Sequence, residues 1–64
     1  MENRLEEMRV KKGLTQQDLA DLVSVSRQTI ISLERGRYNP SIILAFRLAR
    51  FFDVSVEDLF IYYV

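Results

Sequence analysis

Cysteine and histidine are both absent from this 64-residue chain. Their absence excludes a disulfide, a Cys- or His-based metal site, and a nucleophile–histidine pair. Only two glycines occur, Gly13 and Gly36, so there is no glycine-rich phosphate loop. No cofactor and no enzymatic activity are expected. Carboxylate pairs such as Glu6 with Glu7, or Glu57 with Asp58, read as solvated first-turn acids that suit a helix dipole. Long apolar runs are missing too. Ile42 to Phe46 falls far short of the ~20 residues a membrane span needs, and "MENRLEEMRV" lacks the apolar stretch of a signal peptide. A cytoplasmic protein without a membrane partner is expected.

Net charge is the last absence, with nine bases against nine acids. The distribution carries more than the total. Residues 1–25 hold four bases and five acids, a net −1. Residues 26–50 hold Arg27, Arg35, Arg37, Arg47 and Arg50 against Glu34, a net +4. Residues 51–64 hold three acids and no base. Polyanion binding follows local potential, so the middle third is where a polyanion is expected.

With 48% hydrophobic and 28% charged residues, the composition is globular. The length suits one domain, residues 1–64, and one this small buries only roughly 60% of its unfolded surface. Starts and stops of helices follow one another along it. Leu5 and Met8 give a helical spacing that ends at Gly13. Thr15 with Asp18 forms a capping-box pair for a second helix, with Leu19, Ala20 and Leu22 on its inner face. After Val23, Ser24 and Val25, Ser26 caps a third helix that stops at Gly36. Asn39 before Pro40 marks a loop. Ser41 caps a fourth helix through Phe52, with Leu44, Leu48, Ala49 and Phe52 at core spacing and Asp53 as its terminator. Ser55 with Asp58 caps a short fifth. The fold class expected is all-α, with five helices.

The third helix has an unusual outer face. At about 100° per residue, Ile30 and Leu33 fall together on one side. Arg27, Gln28, Ile31, Ser32 and Arg35 gather on the other. These groups suit base edges: guanidinium for guanine, amide for adenine, methyl for thymine. Two helices joined by a short turn, about residues 15–36, make a helix-turn-helix, and Gln16 could donate to a phosphate. A merely solvated ridge is the plain alternative for these residues. Ile31 could equally be an incidental exposed apolar side chain, and Tyr38 could simply pack over its loop.

"GLTQQDLADLVSVSRQTIISLERGRYNPS" resembles the Cro and phage-repressor type (XRE-like) helix-turn-helix of bacterial transcription regulators, and the likeness runs from about Arg4 to Phe60. The resemblance implies a five-helix DNA-binding domain, usually a dimer, with the third helix in the major groove. Carried over by position, Gln16, Arg27, Gln28 and Ser32 match DNA-touching residues. Arg37 and Tyr38 match a loop along phosphates, and Arg9 and Glu34 match a pair bridging the first and third helices. Ile31 and Ile43 stand where the family usually has small or polar residues, and Ile43 there hints at a contact outside the monomer.

The expected partner is therefore double-stranded DNA, with no small-molecule effector. Base reading is assigned to Arg27, Gln28, Ser32 and Ile31. Backbone contacts are assigned to Gln16, Thr29, Arg35, Arg37 and Tyr38. The tail, about residues 55–64, is assigned to a homodimer interface through Phe60, Ile61, Tyr62, Tyr63 and Val64. "FIYYV" alternates like a strand, and nothing upstream reads as a strand to pair with it. The expected activity is repression by a homodimer on a near-palindromic operator. The alternative is an adaptor or antitoxin-like protein that binds a protein partner with the same ridge.

Overall fold

Four hydroxyl side chains start four helices. In the computed structural model, which describes residues 1–37 and 39–63, α1 spans Leu5–Lys11, α2 Gln16–Leu22, α3 Arg27–Glu34, α4 Ile42–Phe52 and α5 Val56–Leu59. Thr15, Ser26, Ser41 and Ser55 each accept a backbone N–H from the third residue on, at 3.0 to 3.1 Å. Such a bond satisfies one of the donors that a helix N-terminus leaves free. At Thr15 and Ser55 the backbone N–H donates in return to the Asp18 or Asp58 carboxylate, which completes a capping box. The Thr15 backbone N–H, donating to Asp18 Oδ2 at 2.9 Å, holds the pKa of the Asp18 carboxyl below its ordinary value.

The helix stops share one device. Gly13, Ser24, Gly36 and Asp53 all have positive φ, between 56° and 71°. After each of them, the next N–H reaches back to a carbonyl five residues earlier. Leu14 bonds to Arg9, Val25 to Ala20, Arg37 to Ser32 and Val54 to Ala49, at 2.9 to 3.2 Å. This is the Schellman closure, in which a left-handed residue satisfies the last carbonyls. Ser24 is the unexpected member, because its type does not announce a left-handed conformation.

The closures aim every helix at a common centre. Leu5, Leu19, Ile30, Leu33, Leu48 and Leu59 are fully buried there, so each of the five helices contributes. Leu44, Ala49 and Phe52 are buried as expected. Leu22 is not, for it is exposed while Val23 is buried. On a 100° wheel, Val23 falls between Leu19 and Ala20, and Leu22 falls outside that arc.

The tail corrects the sequence reading. Strand β1, Glu2–Asn3, pairs antiparallel with β2, Phe60–Ile61, with Glu2 opposite Ile61 and Asn3 opposite Phe60. Arg4 N–H extends the ladder to the Leu59 carbonyl at 2.9 Å. So the strand's partner lies upstream in the same chain, where two residues are too few to show a period. Phe60, assigned to a dimer interface, is instead buried in the chain's own core. Ile61 is half-buried, whereas Tyr62 and Tyr63 are exposed. The Tyr63 hydroxyl donates to Glu2 Oε2 at 3.1 Å, which raises the phenol's pKa. The contacts expected of Tyr38 and Val64 lie outside the described residues. Among those described, no helix is long and apolar enough to cross a membrane.

Replacing Ser24 by glycine should raise stability by about 1 kcal/mol, because a left-handed side chain is relieved. An unchanged or lower urea midpoint would show that the turn carries no such strain. The Asp18 cap should also be pH-dependent. Its folded pKa lies below the ordinary 3.8, so its stabilisation is complete above that value and fades as pH falls through the folded one. The melting temperatures of the wild type and Asp18→Ala should therefore differ at neutral pH and converge in strong acid.

Candidate nucleic-acid interface

The outer face of α3 is built by what holds its two ends. At the start, Ser26 Oγ accepts Thr29 N–H at 3.1 Å and meets the Thr29 hydroxyl at 2.9 Å. At the other end, Gly36 N–H bonds to Leu33 and Arg37 N–H to Ser32, at 2.9 and 3.0 Å. That closure places Arg37 beside the helix terminus, next to Arg35. Arg27, Gln28, Arg35 and Arg37 are exposed, while Thr29, Ile31 and Ser32 are half-buried. Gln28 Nε2 leans on the Ser32 hydroxyl at 3.4 Å, a long bond that leaves both groups free to re-pair with a ligand.

Beneath this ridge lies an ion pair. Arg9 Nε donates to Glu34 Oε2 at 2.6 Å and Arg9 Nη2 to Glu34 Oε1 at 3.3 Å. Their side chains are only 12% and 2% exposed. Arg9 Nη1 also donates to the Leu14 carbonyl, at 2.8 Å. Gln16 Nε2 donates to Glu34 Oε1 at 3.0 Å. The hydrogen bond to Glu34 raises the guanidinium's pKa, against the burial that would lower it. The carboxylate thereby ties α3 to α1 and to α2, and Arg9 is itself fastened to the α1–α2 turn. Charge-assisted bonds of this bidentate kind are directional as well as strong.

The same network shapes the potential. Glu34 is the only acid between residues 26 and 50, and it faces inward onto a cation. The arginines of the ridge are therefore undiluted at the surface. Gln16, expected at a phosphate, is half-buried, with its amide engaged to Glu34. An amide nitrogen has a second hydrogen, so one donor remains for a phosphate.

Asn3 was not anticipated. Its Nδ2 donates to the Leu33 carbonyl at 2.7 Å, and its Oδ1 accepts Leu5 N–H at 3.0 Å. One side chain thus caps the start of α1 and the end of α3. The Met1 amine adds a bond to the Gly36 carbonyl at 3.2 Å. A Cβ on Gly36 would lie 2.9 Å from the Met1 carbonyl oxygen, so only glycine admits this approach. An Asn two residues before a helix is the signal that could have found the cap.

The family profile described as helix-turn-helix matches residues 5–59. The chain belongs to that family. A helix-turn-helix transcriptional regulator of Methanocaldococcus jannaschii, itself uncharacterised, is 55% identical over 62 residues, covering 97% of this chain and 94% of that protein. Among solved structures, the restriction-modification controller protein C.AhdI from Aeromonas hydrophila superposes with a TM-score of 0.79 at 38% identity, over 89% of this chain and 86% of its own. The N-terminal DNA binding domain of SinR from Bacillus subtilis gives 0.75 at 33% identity, over 84% and 80%. The Cro and phage-repressor likeness read from the sequence is thus upheld, as is a non-enzymatic regulator. Its range widens from bacteria to archaea.

The Arg9–Glu34 pair fastens the helix-turn-helix to α1, and a double-mutant cycle tests it. Removing one member strands the other, a loss of about 3 kcal/mol for a pair this buried. Arg9→Met and Glu34→Leu should each lower the urea midpoint by more than the double variant does. Additive losses would refute the coupling.

Proposed function

We propose that this protein is a sequence-specific duplex-DNA-binding repressor that acts as a homodimer. The observation that carries the reading is the ridge of exposed Arg27 and Gln28 with half-buried Ser32 beside them, on a helix fixed by a buried carboxylate. Base reading requires side chains with the right hydrogen bonds and a backbone that does not give way. Arg27 and Gln28, in the first turn of α3, read base edges in the major groove. Ser32 and Ile31 assist, Ile31 through a thymine methyl. Thr29, Arg35, Arg37 and Gln16 position the phosphate backbone, which fixes register without reading sequence. The helix-turn-helix spans about residues 15–36.

Its structural neighbours support DNA as the ligand: one is a DNA binding domain, the other a restriction-modification controller. Repression follows from occupancy alone, since a protein seated on an operator excludes other proteins from it. A homodimer matches the geometry of duplex DNA. Its two recognition helices would lie ~34 Å apart, one turn of duplex, on a near-palindromic site.

Selection of bound duplexes from a random pool supplies the site, and titration at two salt concentrations supplies the class. Arg27→Ala and Gln28→Ala should each relax discrimination at one position per half-site, at ~1–3 kcal/mol per lost base contact. Arg37→Ala should weaken all sequences alike and flatten the salt slope by about 0.9 per contact in each subunit. An unchanged selected site and affinity in the first two variants would remove the recognition-helix assignment. Weak, salt-insensitive binding to every duplex would point to a protein ligand instead.

A further inference from the structure

A second positive area lies where the end of α2 meets the side of α4. Leu22, expected in the core, is 55% exposed there, and it lines a groove with Val23 and Ser24. The other wall is Arg47, Arg50 and Phe51, whose spacing of three and four residues puts them on one face of α4. Phe51 is half-buried, and both arginines are exposed. Lys12 stands beside them, its Nζ 5.6 Å from the centre of the Phe51 ring, a cation–π distance. Two large apolar side chains are thus joined to the charges of Lys12, Arg47 and Arg50. Among the described residues no carboxylate lines the groove, and no ion pair involves these three bases. Asp21, next to Leu22 in sequence, accepts a hydrogen bond from Gln17 of its own helix at 2.9 Å.

We propose that this groove docks an acidic amphipathic helix of a partner protein. Its apolar side chains lie against Leu22 and Phe51, and its carboxylates meet Lys12, Arg47 and Arg50. Charge complementarity selects this occupant. A second copy docked two-fold on the same groove would set like charges against each other. A phosphate backbone would satisfy the three bases but has nothing apolar to offer Leu22 or Phe51, and both would stay in water. An amphipathic helix supplies both kinds of contact, with apolar anchors one turn apart and acids beside them. No residue of α3 lines the groove, so the ridge stays open to duplex while the partner is held. The proposal adds a protein contact to the duplex-binding reading and does not depend on it.

Panning a library of random peptides against the full chain, free and seated on a selected duplex, tests the groove. The enriched peptides should carry aspartate or glutamate around leucine or phenylalanine, and binding of a fluorescein-labelled copy should weaken with salt. Leu22→Ser should weaken that copy roughly tenfold, the loss of one buried leucine. Arg47→Glu should also weaken it, and exchanging one acid of the peptide for lysine should restore binding to that variant. Both variants should keep the wild-type fold by circular dichroism and the wild-type affinity for duplex. Absence of acidic enrichment, or peptides that bind both variants as well as the wild type, overturns the proposal. So does a loss of duplex affinity in both variants, which gives the groove to the phosphate backbone. A chain that binds the peptides and no duplex overturns the DNA reading alone.

Discussion

One carboxylate, Glu34, holds α3 to the rest of the molecule. It accepts hydrogen bonds from Arg9 Nε, Arg9 Nη2 and Gln16 Nε2, at 2.6, 3.3 and 3.0 Å. A charge only 2% exposed would be costly alone, and the costs of burial are offset only when its lone pairs are filled. Here they are filled by two different helices. Any rotation or slide of α3 must therefore break charge-assisted bonds as well as repack Ile30 and Leu33. In a domain whose core is limited by its size, that directionality supplies what packing alone supplies weakly.

The far end of α3 is restrained by a different kind of contact. Asn3 and the Met1 amine bond to carbonyls at Leu33 and Gly36, and Asn3 sits in the strand that pairs with Phe60. The two-residue strands are too short to stand alone. Their role is to lay the first residues of the chain over the C-terminus of α3, with α5 as the anchor. Residues 2–3 and 60–61 thus make one strap. The same residue, Asn3, bonds to the first N–H of α1 and to the Leu33 carbonyl, so α1 and α3 share a fastening.

Local chemistry made the helices legible. Thr15, Ser26, Ser41 and Ser55 precede their helices with the hydroxyl that the structure uses, and Gly13, Gly36 and Asp53 end theirs in the left-handed conformation. Ser24 was not legible as a terminator, since a serine at positive φ is imposed by the turn rather than preferred by the residue. Leu22 was misplaced because hydrophobicity and helical period disagree by one position at the end of α2. The β1–β2 pairing was invisible for a different reason: Glu2 and Asn3 have neither the period nor the composition of a strand. Arg9 and Glu34 are 25 residues apart, and spacing cannot join two such residues. Their pairing was reached through family resemblance, and the geometry then explained why the resemblance holds. The ridge itself was readable from residue type, whereas the partial burial of Thr29, Ile31 and Ser32 depends on neighbours that a helical wheel does not contain.

The arrangement of charges follows from this separation of tasks. A chain with no net charge should bind a polyanion poorly, yet its acids and bases are sorted by element rather than mixed. The acids of residues 51–64 lie on α5 and its flanks. The acid of α3 is turned inward onto Arg9, and the arginines at 27, 35 and 37 remain in solvent. Long-range attraction is then modest, because the whole molecule carries no net charge. Short-range attraction at the ridge is not reduced, since at physiological salt charges beyond about 8 Å are largely screened. Such a protein gains little from indiscriminate steering along any polyanion. Its bases act at short range, where Arg27, Arg35 and Arg37 stand exposed, a distribution that favours local contact over bulk attraction.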